Sequence, residues 1–226
     1  AMASGSDAAV SVADLVLVNS DFANMPRVVD EGRRVINNIE RTASLFLVKN
    51  IFSFIMTLIS IFAVTYYPLK PVQISLVSSM MIGIPSFFLA LEPNKNRVEG
   101  KFLRNVLCRA FPSAFSAVIL VAAWLMISSA FSIDYAKITT VSCMIYGFAS
   151  YMMLFKTCRP FNIRHGILFA LMGIGYVSCT VLLPWFFDFT RLDIGCFIIM
   201  ILLILPAYPL QLGFQKLLSL LFRKRS

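Results

Sequence analysis

Residues 25–67 read MPRVVDEGRRVINNIERTASLFLVKNIFSFIMTLISIFAVTYY. The first half mixes charged and apolar side chains, and the second half is almost wholly apolar. Met25, Val28, Val29, Gly32, Val35, Ile36 and Ile39 fall on one stripe, with Arg27, Asp30, Glu31, Arg34, Asn38 and Arg41 on the other faces. That is the pattern of an amphipathic helix. Neither Pro nor Gly occurs from Arg33 to Tyr67, so the charged helix is expected to run unbroken into a membrane span. Asn24 is placed to cap it, and Pro26 falls in the first turn, where a missing N–H costs nothing. A rod of this kind can carry movement of a water-facing domain into a bilayer. The apolar stripe reads both as packing on that domain and as the surface that transmits force.

The remainder of the 226 residues extends the membrane reading. Hydrophobic residues make up 59% and charged residues 14%, with a mean hydropathy of +0.82, well outside the balance of a soluble domain. Apolar stretches fall near 45–67, 72–92, 108–131, 138–157, 166–187 and 194–214. Each is roughly 20 residues, enough for a helix to cross about 30 Å of hydrocarbon. In lipid the backbone must satisfy its own hydrogen bonds, so these stretches are spanning helices. The fold class is an α-helical polytopic membrane protein with six transmembrane helices.

Basic residues set the orientation. All but Lys70, Lys137 and Arg191 cluster before or at the opening of the first span, between the second and third, between the fourth and fifth, or after the sixth. This asymmetry predicts that both termini are cytosolic, in a multi-pass protein of the cell (plasma) membrane. Anionic headgroups account for the net charge of +9, and nucleic acid need not be invoked as a partner. Trp185, Phe186, Phe187 and Phe189 stand where an outer interfacial belt belongs.

Residues 1–30 are different. They are too polar for a signal peptide and too few to bury a core. Residues 14–18, DLVLV, resemble a short buried strand after a small-residue helix around Asp7–Ala13. That rhythm suggests the tail of a parallel α/β domain.

The run AMASGSDAA, then ADLVLVNSDFANMPRVVDEGRRVINNIERTASLFLVKN, resembles the end of the phosphorylation domain of P-type ATPases and the start of their fifth transmembrane helix. The next stretch, PVQISLVSSMMIGIPSFFLALEPN at 71–94, is similar to the sixth helix of that family. The later spans agree with the seventh to tenth in number and orientation. The wording is nearest to bacterial cation pumps of the calcium-pump-like group. The resemblance implies a C-terminal fragment: residues 1–30 as the end of the cytosolic α/β (HAD-like) phosphorylation domain, 31–67 as a stalk helix continuous with the first span, and 68–226 as five further spans. It implies the membrane part of an ATP-driven cation pump, for calcium or another small cation. The complete protein would use Mg and ATP and have as partners the lipid bilayer, the transported cation and the missing N-terminal portion. The DKTGT and GDGVND segments of the family are not in this sequence. No catalytic residue is therefore expected here, no nucleotide or Mg is expected to bind this chain alone, and alone it is expected to be inactive. A stand-alone polytopic secondary transporter or membrane scaffold is the alternative.

Gly83 and Pro85 interrupt the second span, and a helix broken there frees carbonyls that can bind a cation at mid-membrane depth. An ordinary Pro kink is the other reading. Ser78 and Ser79 precede the break and Ser86 follows it. Asn50 and Ser53 share one face of the first span, at i and i+3. The resemblance puts Asn50 where calcium pumps carry a ligating Asn. It also puts Ser53 and Ile82 where they carry acidic residues, which leaves the ion identity open. Each Ser also suits helix–helix hydrogen bonding. Lys49 reads either as snorkelling to the interface or as a built-in counter-cation. Cys108, Cys143, Cys158, Cys179 and Cys196 lack CxxC spacing, which argues against a disulfide framework. His165 lies in a basic loop and is expected at the headgroups. Pro206 and Pro209 are expected to bend the last span.

Overall fold

The computed structural model describes residues 1–63, 65–98 and 100–223. Nine α-helices follow in order among them: α1 (Asp7–Ser11), α2 (Met25–Phe62), α3 (Pro71–Val77), α4 (Ile84–Ala90), α5 (Phe102–Ala130), α6 (Tyr135–Thr157), α7 (Ile163–Leu182), α8 (Ile194–Ile204) and α9 (Ala207–Arg223). A π-helical segment, Ser78–Gly83, joins α3 to α4. By length and composition six segments can cross a membrane: Phe22–Phe62, Pro71–Ala90, Phe102–Ala130, Tyr135–Thr157, Ile163–Leu182 and Ile194–Leu220. The protein is thus a multi-pass helical membrane protein. Lys224 and Arg225, part of the charge asymmetry, lie outside the described residues.

The 38 residues of α2 form one uninterrupted helix, about 57 Å long at 1.5 Å per residue. Its start departs from expectation. Asn24 makes no capping bond. Instead Asp21 accepts from the Ala23 N–H at 2.9 Å and from the Asn24 amide at 3.2 Å, capping a short 3-10 turn at Phe22–Asn24 that leads into the helix. Pro26 occupies the first turn, as expected.

Residues 14–18 do not form the buried strand read from the sequence. One parallel bridge pairs Met2 with Leu17, and Val18 is 81% exposed. The pairing direction, with α1 between the two segments, gives a miniature β–α–β turn. A strand needs neighbours on its edges and faces, and among the described residues only residues 1–3 pair with it.

In lipid no hydrophobic force drives helices together, so close approach through small residues holds them. α5 lies at the centre, against α2, α6 and α9. Ala110, Ser113, Ala114, Ser116, Ala117 and Val121 on α5 are completely buried. Phe52 of α2 stacks on Tyr146 of α6 at 4.2 Å between centroids. Trp124 is buried and donates its indole N–H to Ile138 O at 3.1 Å. At the end opposite the termini, Lys70 pairs with Asp188, Lys137 with Asp193, and the Tyr135 hydroxyl donates to Tyr67 O at 3.0 Å. Trp185 is 77% exposed at this same end. The last span bends at Pro206, between α8 and α9, whereas Pro209 sits harmlessly in the first turn of α9.

α6 and α7 are clasped reciprocally. A Cβ on Gly147 would stand 2.3 Å from the Tyr176 hydroxyl, and one on Gly173 would stand 2.4 Å from the Tyr151 hydroxyl. Tyr176 donates to Cys143 O and Tyr151 to Phe169 O, each at 3.0 Å. Each acceptor lies one turn before the glycine that its tyrosine covers. Gly147→Ala is therefore expected to cost about 1–3 kcal/mol by overpacking. Gly166→Ala on α7, whose Cβ meets nothing within 4 Å, should be neutral or gain up to about 1 kcal/mol from helix propensity. Thermal unfolding of both variants in detergent checks the contrast.

Candidate functional site

The interruption of the second span takes a form the sequence did not specify. The backbone does not unwind around Gly83 and Pro85. It widens to π geometry over Ser78–Gly83, so that the Ile84 N–H donates to Ser79 O, five residues back. π segments of this kind recur at functional positions in helices. Pro85 has no N–H, so a carbonyl one turn earlier loses its helical donor. A Cβ on Gly83 would lie 3.5 Å from Ser78 O, an ordinary contact. The packing of this helix therefore does not require glycine there.

The candidate residues around this segment are not all on one surface. Ser79, Gly83 and Asn50 are exposed, whereas Ser53, Ser78 and Lys49 are half-buried, and Pro85 and Ser86 are buried. α2 packs against both the π segment and α4, which brings the two halves of the candidate path side by side. The hydroxyls of Ser78 and Ser86 find no hydrogen-bond partner among the described residues.

The better-defined polar construction lies at the other end of α4, and sequence reasoning missed it. Asn38 donates to Ala90 O at 2.9 Å and Glu92 O at 2.7 Å, and Asn37 donates to Asn94 O at 3.3 Å and Asn96 O at 2.8 Å. Arg41 meets Glu92 Oε2 at 2.6 Å, and the same oxygen lies 3.0 Å from His165 Nε2. The other ring nitrogen, Nδ1, is 3.0 Å from Pro160 O. His165 is 6% exposed, so it is not at the headgroups as expected but locked between two chain segments. Glu40, also buried, takes Arg109 at 3.0 Å and the Asn105 amide at 3.2 Å. Burial pushes the nearby Cys158 thiol up to about 11, with Arg41 opposing and Glu92 adding to the rise. The thiol therefore stays neutral and leaves Arg41 to Glu92.

The apolar stripe of α2 takes no part in this junction. Val29, Val35, Ile36 and Ile39 are 41–50% exposed, and the packed face is the polar one. The polar contacts have a simple cause: the segment after α4 presents main-chain carbonyls and the Glu92 carboxylate, which amides and a guanidinium satisfy and aliphatic side chains do not.

No protein-family model matches the chain. It is 34% identical over 191 residues to the probable cation-transporting ATPase exp7 of Streptococcus pneumoniae, a match covering 81% of this chain and 24% of that protein. It is 35% identical over 193 residues to the calcium-transporting ATPase CtpE of Mycobacterium tuberculosis, covering 78% and 24% respectively. The CtpE of Mycolicibacterium smegmatis is 41% identical over 123 residues, 50% of this chain and 16% of that protein. The chain thus spans about a quarter of the length of the curated relatives it matches. The matches fall in the C-terminal region of these proteins, and a stand-alone transporter or scaffold is not favoured.

The junction has a measurable weight. Arg41→Ala leaves a partly buried carboxylate facing a single histidine. It is expected to cost about 3 kcal/mol, whereas the paired change Arg41→Met with Glu92→Leu should cost much less. Chemical denaturation of the two variants in detergent distinguishes them.

Proposed function

The chain belongs to the P-type cation-transporting ATPases, and on that premise we propose that it is the membrane part of an ATP-driven pump for calcium or another small cation. The observation that carries this reading is the π-helical interruption at Ser78–Gly83 beside α2, in a chain similar to cation- and calcium-transporting ATPases over some 80% of its length. The complete protein would be a cation-translocating ATPase of the cell membrane, with both termini of this chain cytosolic. Residues 1–30 would close its phosphorylation domain, residues 31–67 would be the stalk and first span, and 68–226 would supply the other five.

ATP and Mg would be held upstream. Among the described residues there is no group of three or more His, Cys, Asp or Glu that could hold a metal ion, and no phosphoryl step is assigned to this chain. Its own residues would bind and release the transported ion. Asn50 and Ser53 would face Ser78, Ser79 and the carbonyls around Gly83, with Pro85 keeping one carbonyl free. Ligands of this kind are neutral oxygens, and a carboxylate, which Ca²⁺ favours, would come from a helix outside these six. Lys49 would serve as the counter-cation or reach the interface.

Two experiments test the reading. In the complete protein, Asn50→Ala and Ser53→Ala should each weaken ATP-driven cation uptake into vesicles, with apparent ion affinity falling roughly tenfold or more. Unchanged affinity in both variants would overturn the ion-site assignment. The 226-residue chain alone should form no ATP-dependent phosphoenzyme, and detecting one would overturn the division of labour.

A further inference from the structure

A cavity of about 420 Å³ opens between α5, α6 and α9 at the end of the molecule that carries the Arg41–Glu92 junction. Four cationic side chains line it: Arg41, Arg109, Lys156 and Arg159. Two of these are neutralised, Arg41 by Glu92 at 2.6 Å and Arg109 by Glu40 at 3.0 Å. Lys156 and Arg159 are not. Lys156 lies over the Tyr208 ring, 5.7 Å from its centroid, and Arg159 over Phe155 at 4.7 Å. Neither meets a carboxylate among the described residues. The dipole of α6 favours a cation in its last turn, which accounts for Lys156. It does not account for Arg159, beyond the helix end, converging on the same cavity.

Apolar side chains, Pro112, Met153 and Leu212, also line the cavity. Past Pro112 a cleft of about 300 Å³ continues between α5 and α9, lined by Phe115, Phe214 and Leu217 among others and without polar lining surface. A site that joins two uncompensated cations to a dry apolar cleft at a membrane interface matches one ligand chemistry, a phosphate monoanion carrying a hydrocarbon chain. Basic pockets between spanning helices bind anionic headgroups in this way.

We propose that this cavity binds an anionic phospholipid, with its phosphate between Lys156 and Arg159 and an acyl chain in the cleft between α5 and α9. Placing the lipid in the cytosolic leaflet rests on the orientation proposed above. The binding site itself does not. A bound lipid would bridge α5, α6 and α9 beside Arg41, so its occupancy would bear on the α2 junction.

The test uses the whole chain purified in neutral detergent, with short-chain phosphatidylglycerol, short-chain phosphatidylcholine and inorganic phosphate titrated separately against thermal unfolding. Phosphatidylglycerol should raise the melting temperature, and the other two should not. The double variant Lys156→Gln/Arg159→Gln should lose roughly 30-fold in apparent affinity for it, about fivefold per cation removed. Lys216→Gln, an exposed change on α9 outside the cavity, should bind as the parent does. Leu217→Trp, which fills the cleft and leaves the cations in place, gives a second variant should the double substitution fail to fold, and it too should bind weakly. Equal stabilisation by phosphatidylcholine, equal stabilisation by inorganic phosphate, or equal loss in Lys216→Gln would each overturn the proposal. The assay contains neither nucleotide nor transported ion, so its failure leaves the pump reading untouched.

Discussion

Four carbonyl oxygens at and just beyond the end of α4 take their donors from two adjacent asparagines of α2. A helix leaves its last carbonyls without partners, and here the chain that follows α4 supplies a main-chain donor to only one of the four, the Asn94 N–H to Glu92 O at 2.9 Å. Each such bond contributes about 1 kcal/mol net, but an unpaired buried group costs about 1–3 kcal/mol. The four together therefore fix α2 against α4 in one register. Sliding or rotating α2 by a single residue, about 1.5 Å and 100°, would break all four and separate Arg41 from Glu92.

That constraint gives the long helix a mechanical meaning. An unbroken helix transmits axial and rotational movement along its length, but only to what it grips. α2 grips the end of α4 through Asn37, Asn38 and Arg41, and grips α5 through Glu40. Glu92 extends the hold to α7 through His165. Movement of the water-facing half of α2 would thus reach the helix carrying the π segment by a short, polar and nearly incompressible route. The π segment lies just N-terminal to α4, where a turn held by weaker i→i+5 bonds is the natural place for the helix to yield.

The sequence made the spans legible because lipid imposes one rule, a run of about twenty apolar residues, and all six obey it. It also located the break, since Gly83 and Pro85 disfavour an ordinary helix. Whether the backbone would unwind or widen was not legible, because π geometry depends on how α2 and α6 crowd the same turn. The junction was illegible for a different reason. Periodicity detects apolar faces, and the face of α2 that packs is Asn37, Asn38, Glu40 and Arg41, whose partners lie more than fifty residues away. His165 was misread on the same grounds: a lone histidine in a basic loop signals a headgroup contact until Glu92 and Pro160 O are seen on either side of its ring. The signal that could have found the junction is weak but real, four amide and charged residues among the five at 37–41, where α2 meets the membrane.

The distribution of carboxylates limits what the proposed ion path can do. All 11 acidic residues lie at or before Glu40, at Glu92 and Glu99, or at Asp134, Asp188 and Asp193. Among the described residues none stands at the depth of the π segment. The electrostatics there are set by neutral dipoles, by Lys49 near one end, and by two buried serine hydroxyls without partners among the described residues. Unpartnered polar atoms in a low-dielectric setting are costly until a ligand or another helix completes them. On the pump reading, these six spans would hold a cation weakly by themselves, and a carboxylate brought by a further helix would decide when the ion binds. Coupling would then consist of moving α4, through its asparagine-held end, toward or away from that charge.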